Sequence, residues 1–460
     1  MREFCTLSAM LARTALILLC LMVTPLPSQD TRPKPPIEVR IIETLFTNKV
    51  ITPEQREDLL RSADEMRREE AFESIRTQEL AAALKALEER TQEVGARLQH
   101  KPSKGFRFSS ADDLYSLGVS GFLQLGFNWT NWERNPWTNH GSESSFGVEK
   151  ARIEFAGHVF EKWVRYRVLF DVAGDEPATP VQVFGVPVGT FDAEARFAEL
   201  KEASVDLAFD DALHLKLGQF KVPYSRHFLT GSSTQLFVAR SVTDNIFKGG
   251  RQPGLMLHGA TCGASDDFIE YAVGAFNGEG ENAANNDEGL LYAGRVVVNP
   301  FGALPYEDGD LGQSDRFRAA LGLNAWRHAD DGHVADPARS SIGADLALRF
   351  SGWHLLGEWH RTALHSGSAL DPSAHGAFVQ LGCTLLEDTL ELGLRSAEIA
   401  WDENGNGDSG RREHLVVLGW HLKPEKWKLQ ADFGRIEDHQ GDSEDNLDGW
   451  RLRLQMQVLF

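Results

Sequence analysis

The last eleven residues of the chain, WRLRLQMQVLF, alternate between apolar and polar positions. Leu454 and Met456 fall on one side, and Arg451, Arg453 and Gln455 fall on the other. Successive side chains of a β-strand point to opposite faces, so this pattern predicts a strand with one apolar face. The same alternation recurs in VRYRVLFDV, LHLKLGQF, FRAALGLNAW, DLALRF and WKLQADF.

Two folds carry such a pattern, a soluble β-sandwich and a transmembrane β-barrel. A sandwich turns its apolar faces inward, whereas a barrel turns them toward lipid and keeps polar faces around a wet lumen. The alternation continues over roughly 340 residues, which is long for one soluble β domain. Tryptophans also cluster near segment ends, as they do at membrane interfaces: Trp129, Trp132, Trp163, Trp353, Trp401, Trp427 and Trp450.

The pattern therefore predicts an all-β transmembrane barrel over residues 110–460. At roughly 20 to 22 residues per strand with its connections, about 16 antiparallel strands are expected, with 14 to 18 possible. Short turns such as FDDA and LKPEKW suit the periplasmic side, and long polar stretches suit the outside. A barrel of this size encloses an aqueous channel.

The N-terminal region predicts export. Residues 1–28 combine Arg2 and Arg13 with the apolar run TALILLCLMV, which is typical of a signal peptide, and the cleavage position stays open. Residues 29–36 form a proline-rich linker. Removal of the signal leaves Cys262 and Cys383, and whether these two pair stays open.

Residues 37–100 predict an α-helical segment in the periplasm. Thr52 before Pro53, with Gln55 three residues after Thr52, marks a helix start. Apolar positions then repeat in alternating steps of four and three, which predicts a self-associating coiled coil: Leu80, Leu84, Leu87, Thr91, Val94 and Leu98. The alternative is a solvated helix that lies on its own domain.

Charge and motifs exclude several function classes. A formal net charge of -20 argues against nucleic acid as a partner, because phosphate backbones bind concentrated positive charge. The chain carries no serine-hydrolase, zinc-protease or phosphate-loop motif, so we expect no enzyme and no cofactor. The stretch DENGNGDSGRRE formally matches a calcium loop through Asp402, Asn404, Asn406, Asp408 and Glu413, but its strand-like flanks favour a plain hairpin loop.

Residues 213–259 carry a family resemblance. Their segments GQFKVPYSRHFLTGSS, VARS and GGRQPG resemble the phosphate-selective porin O/P family of bacterial outer-membrane channels, and the likeness extends over residues 118–460. The resemblance implies a 16-stranded barrel, a homotrimer and an inward-folded loop that narrows the pore. It also implies that lumenal arginines and lysines guide anions.

Candidate anion contacts are basic residues of the matching stretch and of the polar strand faces. They are Arg152, Arg165, Arg167, Lys216, Lys221, Arg226, Arg240, Lys248, Arg251, Arg318, Arg349, Arg451 and Arg453. Guanidinium groups bind phosphate through paired hydrogen bonds, and basic rings in a pore favour anions. The alternative is internal ion pairing with Glu154, Glu202, Asp206, Asp345, Glu358 and Asp432.

These observations predict an outer-membrane porin for passive diffusion of small hydrophilic solutes and ions, with an anion or phosphate preference as the open question. The alternative function is a structural one, in which the coiled coil tethers the membrane to peptidoglycan and conduction is secondary. Terminal Phe460 resembles the aromatic assembly signal that outer-membrane insertion machinery reads. The expected partners are thus outer-membrane lipid, further copies of the chain, the insertion machinery, peptidoglycan, and inorganic anions or small solutes.

Overall fold

The computed structural model describes most of the chain from residue 35 onward. The described ranges are 35–101, 105–110, 112–133, 141–173, 181–183, 186–188, 199–263, 266–285, 288–328, 338–365, 373–386, 388–402, 409–423, 426–439 and 446–460. The expected signal peptide and most of the linker lie outside them. Within these ranges no helix has the length and apolar character needed to cross a bilayer.

The chain divides into two compact units, Met1–Thr91 and Gln92–Phe460. Helices α1 (Ile37–Thr47) and α2 (Pro53–Arg97) follow the predicted helical segment. The predicted start of α2 is confirmed, since the Thr52 N–H donates to the Gln55 side chain (2.9 Å) and the Gln55 N–H donates to the Thr52 hydroxyl (3.3 Å).

The coiled coil stays a prediction. Leu80 and Leu84 are 67% and 58% exposed on α2, as expected of a helix face without a partner. The side chains of Leu87, Thr91, Val94 and Leu98 lie outside the described set.

The second unit is a closed barrel of sixteen antiparallel strands, which confirms the predicted fold and strand number. The strands are β1 (Ser116–Trp132), β2 (Ser142–Val159), β3 (Glu161–Asp171), β4 (Glu199–Asp210), β5 (Leu213–Lys221), β6 (Arg251–Gly263), β7 (Asp266–Phe276), β8 (Leu291–Val298), β9 (Arg318–His328), β10 (Ala338–Phe350), β11 (Trp353–His365), β12 (Ser373–Leu385), β13 (Leu390–Asp402), β14 (Ser409–Lys423), β15 (Trp427–His439) and β16 (Leu447–Leu459). Strand β16 pairs with β1 and closes the barrel. A short hairpin, Leu98–Lys101 and Gly105–Ser109, pairs with the start of β1, so β structure begins before residue 110.

The alternating faces lie as the sequence predicts. On β16, Leu454 and Met456 are exposed on the outer surface, whereas Arg453, Gln455 and Gln457 face the lumen and are buried. The wall is therefore apolar outside and polar inside, the arrangement that suits lipid around a wet lumen.

Trp401 is an exception to the predicted interfacial tryptophans. It is only 5% exposed and packs inside the barrel against Tyr224, Phe247 and Ile399. On β13 it falls on the same face as Ile399, which points into the lumen, and there it joins an internal apolar cluster. The expectation of an interfacial role was therefore wrong for this residue.

Connections at the two ends of the barrel differ in length. Short turns such as that between Asp210 and Leu213 lie at one end, and longer connections lie at the other. The connection between β8 and β9, residues 299–317, is a long one at the short-turn end. The connection of residues 222–250 has most of its length buried, whereas residues 299–317 are buried only in part, with Leu304 and Asp310 among the buried residues.

Candidate functional site

Residues 222–250, here called the inward loop, connect β5 to β6 and fold into the lumen. The loop contains two short helices, Arg226–Leu229 and Val242–Phe247. Its Tyr224 and Phe247 side chains are completely buried and pack against residues of β12 and β13. The stretch that carried the family resemblance thus supplies the inward-folded loop that the resemblance implied.

Lumenal side chains hold the inward loop by its main chain. The Glu358 carboxylate of β11 accepts hydrogen bonds from the Ser225 hydroxyl (2.7 Å) and from the His227 N–H (2.6 Å). Further wall side chains reach loop peptide groups: Arg395 to Ala239 (3.0 Å), Lys428 to Gln235 (2.8 Å), Gln430 to Leu236 (2.7 Å), Gln457 to Ser233 (3.0 Å), and Asp432 from Val238 (3.2 Å). Buried peptide groups need such partners, so the wall and the loop form one hydrogen-bonded body.

Residues 299–317, here called the lower segment, enter the lumen from the short-turn end. Arg226 of the inward loop donates to the carbonyls of Leu304 and Pro305, both at 2.9 Å. Its guanidinium also lies 4.4 Å from the centroid of the Tyr306 ring. The two insertions therefore contact each other, and together they occupy the lumen beside β8 to β16.

Open space remains along β1 to β8, where three adjoining cavities have volumes of about 720, 690 and 400 Å³. The 690 Å³ cavity, here called the central cavity, shares Lys221 and Met256 with the 720 Å³ cavity. It shares Arg167 and Lys216 with the 400 Å³ cavity. The cavities thus adjoin one another along one side of the lumen.

The central cavity is lined by more basic than acidic side chains. Its basic residues are Arg107, Arg152, Arg167, Lys216, Lys221 and Arg251, and its carboxylates are Glu154 and Glu202. Four cations surround the Phe228 ring of the inward loop and form what we call the basic cluster: Lys221, Arg240, Lys248 and Arg251, at 5.2, 5.6, 5.7 and 5.9 Å from the ring centroid. A cation near an aromatic face is attracted by the ring quadrupole.

The cations around the cavity differ in how far they are neutralised. Arg152 pairs with Asp171 at 2.7 Å, and Arg251 lies 3.7 Å from Glu281. Within the described ranges, no carboxylate oxygen lies within 4.0 Å of the Lys221 or Lys248 ammonium.

Lys221 instead donates to three loop carbonyls, those of Phe228 (2.6 Å), Leu229 (3.0 Å) and Thr230 (3.2 Å). Three acceptors match the three N–H donors of an ammonium group, so this arrangement fits the charged form. The positive charge of Lys221 is therefore stabilised by carbonyl dipoles and is not paired with a carboxylate of the described residues.

The thirteen predicted contact residues fall into separate environments. Arg152, Arg165, Arg167, Lys216, Lys221 and Arg251 line the cavities, and Arg240 and Lys248 join them through the basic cluster. The others are committed elsewhere: Arg226 to the lower segment, Arg318 to the Ala303 carbonyl (2.6 Å), Arg349 to the Glu307 carbonyl (2.8 Å), Arg451 to Glu413 (2.8 Å) and Arg453 to Asp432 (2.8 Å). These five hold the wall and the insertions together and do not line the open cavities.

Sequence reasoning missed several lumenal cations. Arg295 on β8 is bound by Asp345 through two hydrogen bonds of 2.6 and 2.9 Å. Arg395 pairs with Glu413 at 3.0 Å, and Lys428 holds the inward loop. Alternation within LELGLRSA places Arg395 opposite Leu390, Leu392 and Leu394 and would have found it. Within LYAGRVVV, Arg295 shares its face with Leu291, Ala293 and Val297, so alternation gives no signal for it.

The calcium-loop candidate lies mostly outside the described residues. Asn404, Asn406 and Asp408 are among residues 403–408, which are not described, and the Asp402 side chain is not described either. The flanks are strands, as the sequence predicts. Glu413 is bound by Arg395 and Arg451 in the lumen, so its carboxylate is already occupied.

Terminal Phe460 lies at the seam of the barrel. Its N–H and carbonyl each pair with Gly121 of β1 at 2.9 Å. A side chain at position 121 would meet the Phe460 ring, because a Cβ atom there would lie 2.7 Å from it. The last residue thus extends the β16–β1 pairing that closes the barrel.

Comparisons with known proteins agree on the fold. The chain is 24% identical to an uncharacterised protein of Aquifex aeolicus (strain VF5) over 287 residues, 57% of this chain and 68% of that protein. The anion-selective porin from Comamonas acidovorans superposes with a TM-score of 0.51 at 14% identity, over 75% of this chain and 100% of that chain. The outer-membrane channel DcaP of Acinetobacter baumannii superposes with a TM-score of 0.53 at 10% identity, over 77% and 99%.

At these identities the two structural likenesses show the fold alone. The family model for phosphate-selective porin O and P matches residues 123–460, which is most of the chain and all of β2 to β16. The protein therefore belongs to the phosphate-selective porin O and P family.

Proposed function

We propose that this outer-membrane channel conducts small hydrophilic solutes with a preference for anions, and that anions pass through the central cavity. The observation that carries the proposal is the lining of that cavity, where six basic side chains face two carboxylates. Lys221, one of these six, and the neighbouring Lys248 have no carboxylate oxygen of the described residues within 4.0 Å. Fixed positive charge between low-dielectric walls raises the local concentration of anions.

The cavity favours a general anion preference over strict phosphate selection. Phosphate recognition by arginine requires a guanidinium fork that is free for two parallel hydrogen bonds. Arg152 is engaged by Asp171, and Arg167 is engaged by Glu154 and Glu202. The same barrel fold also serves the anion-selective porin of Comamonas acidovorans, which agrees with the proposal.

Planar-bilayer recording tests the proposal directly. Purified protein should give stepwise conductance, and a potassium chloride gradient should give a reversal potential of the sign expected for chloride permeation. Added phosphate should compete with chloride only weakly if the arginine forks stay occupied. Absence of conductance steps would reject the channel, and a cation-type reversal potential would reject the anion preference while leaving the channel in place.

We place the helical unit in the periplasm and propose a homotrimer, which self-association of α2 through exposed Leu80 and Leu84 would support. A tether to peptidoglycan is the weaker function, because the family match covers the barrel and not the helices. Co-sedimentation with peptidoglycan, using protein with and without residues 37–99, tests it. Equal sedimentation of the two proteins would reject the tether.

A further inference from the structure

Two histidines and one aspartate meet on the lumenal wall near the short-turn end, outside the basic cluster. Asp206 lies on β4, His214 on β5 and His258 on β6. His214 and His258 are directly opposed in the register of the two strands, and their ring centroids lie 4.8 Å apart. The cluster separates the 720 Å³ cavity, which both histidines line, from the 400 Å³ cavity, which Asp206 lines.

We propose that Asp206, His214 and His258 bind a divalent transition-metal ion, with zinc and nickel as the fitting class. The Asp206 carboxylate lies 3.1 Å from His214 Nδ1 through one oxygen and 3.1 Å from His258 Nε2 through the other. Candidate ligand atoms of the three residues all lie within 4.8 Å of one another. Bonds of about 2.0–2.1 Å in a tetrahedral site place ligand atoms about 3.3 Å apart, so small side-chain rotations complete the set.

The cluster is open to the lumen. The side chains of His214, Asp206 and His258 are 13%, 20% and 27% exposed, so water reaches the position that three protein ligands leave free. The buried pair Glu358 and His360 differs, because both side chains are at most 2% exposed and Glu358 already holds the inward loop. A metal ion from solution can therefore reach the partly exposed trio, whereas the buried pair is closed to it.

Among the described residues, no lysine or arginine pairs with the Asp206 carboxylate. Its register neighbours Arg165 and Lys216 turn elsewhere, Arg165 to the Lys162 carbonyl and Lys216 to Glu202 at 2.8 Å. Asp211 and Glu270 line the same 720 Å³ cavity together with Lys221 and Arg295, so the formal charges of these four residues balance there. A divalent cation would bind each neutral ring through the lone pair of the nitrogen that faces Asp206, with the ring proton carried on the other nitrogen.

A second trio in the barrel provides an internal comparison. Glu437, His439 and Asp448 also bring possible ligand atoms within 4.8 Å of one another. There, however, Arg435 donates to Glu437 and to Asp448, each at 3.0 Å. A guanidinium already occupies both carboxylates, so this trio should bind metal weakly.

Isothermal titration calorimetry of the purified, tag-free channel with zinc chloride tests the site. Wild type should bind one zinc ion per chain. His214→Ala and His258→Ala should each lower the affinity by about tenfold to a hundredfold or more, since each removes a direct ligand. His439→Ala, from the occupied trio, and His158→Ala, a neighbouring lumenal histidine, should leave the affinity unchanged.

Conduction provides an independent readout. Zinc added to wild-type channels should reduce the single-channel current, and Asp206→Asn should relieve the effect, measured for each protein as the ratio of its current with zinc to its own current without zinc. Heat-modified gel mobility checks that each variant is folded, and Asp206→Asn keeps the shape of the side chain if an alanine variant fails to assemble. No zinc uptake by folded wild type, or equal uptake by wild type and His214→Ala, would overturn the site. Either result is distinct from a failure of anion preference, because calorimetry requires no ion flow.

Discussion

The Glu358 carboxylate on β11 lies 2.6 Å from the main-chain N–H of His227, and this hydrogen bond ties the inward loop to the barrel wall. The other carboxylate oxygen accepts from the Ser225 hydroxyl at 2.7 Å. One side chain therefore satisfies two donors at the start of the first loop helix. The lumen keeps its narrowed cross-section only while such anchors hold.

Glu358→Gln should loosen the inward loop, because the new amide presents N–H donors to partners that are donors themselves. We expect a larger and noisier single-channel conductance, and a free energy of unfolding lower by about 1–3 kcal/mol, the usual cost of a buried donor left unpaired. Bilayer recording and denaturant unfolding measure the two effects. Glu398→Gln is the control, since that carboxylate is 52% exposed and its ion pair, among the residues that the structure describes, is with Arg412. Identical conductance of both variants and wild type would show that Glu358 does not hold the loop.

Lys216 and Glu202 should have opposite effects on ion selectivity. They form an ion pair of 2.8 Å that lines the central cavity. Lys216→Gln should lower the anion-to-cation permeability ratio and Glu202→Gln should raise it, each by a factor of about two to five. A unit charge on the wall of the cavity changes the energy of a permeating ion by about 0.5–1 kcal/mol after screening.

Reversal potentials in a salt gradient measure both changes. Arg412→Gln serves as the control, because this arginine is exposed and lies away from the cavities. Shifts of the same sign for Lys216→Gln and Glu202→Gln would contradict a path through the central cavity.

The alternation of the strands is enough to predict which side chains face the lumen, but not what they meet there. Arg451 and Arg453 were predicted on the polar face of β16, and they lie on it. The two-residue alternation of a strand predicts which face a side chain lies on, but it does not predict which other strands or insertions that side chain meets across the lumen. Both arginines pair with carboxylates, Glu413 and Asp432, on the side of the lumen that the insertions occupy.

The inward loop followed from the family resemblance and not from any local pattern. Its anchors join residues more than a hundred positions apart, such as Ser225 and Glu358, or Gln235 and Lys428. Such pairs leave no periodic trace in the sequence. The lower segment was missed for the same reason, since Arg226 selects Leu304 and Pro305 by their carbonyls and not by their side chains.

Acid should weaken the inward loop through His227. Burial lowers the pKa of His227 below its ordinary value of about 6.5, and Asp308 at 3.8 Å only partly offsets this effect. The unfolded chain therefore binds a proton more readily than the folded chain. The stability that neutral His227 contributes is present above about pH 6.5 and is lost as the pH falls below that value toward the folded-state pKa.

Thermal unfolding and conductance noise, measured from about pH 8 to about pH 5, should reveal this loss. Asp244, Arg395 and Glu358 also contribute to the electrostatic environment of the imidazole. The contribution of His227 is therefore measured as the difference between wild type and variant in how steeply stability and noise change with pH. His227→Gln should flatten the noise profile, because its side chain does not titrate. An equally steep profile in wild type and variant would assign the acid sensitivity to another group.

Phe460 should matter for assembly more than its exposed ring suggests. Phe460 and Phe350 are similarly exposed phenylalanines, at 50% and 48%, near the short-turn end of the barrel. Only Phe460 pairs through its main chain with Gly121 across the seam, and its ring covers that glycine. Deletion of Phe460 should therefore remove two seam hydrogen bonds and the terminal aromatic together, whereas Phe350→Ala removes only outer-surface contact.

The expected result is a yield of folded outer-membrane protein that falls severalfold for the deletion and changes little for Phe350→Ala. Heat-modified gel mobility of membrane fractions measures it. Phe460→Tyr should keep the yield, because it retains an aromatic ring and the main-chain pairing. A normal yield without Phe460 would show that closure between β16 and β1 needs neither the terminal ring nor its two hydrogen bonds, and that the remaining pairs from Phe122 to Trp132 suffice.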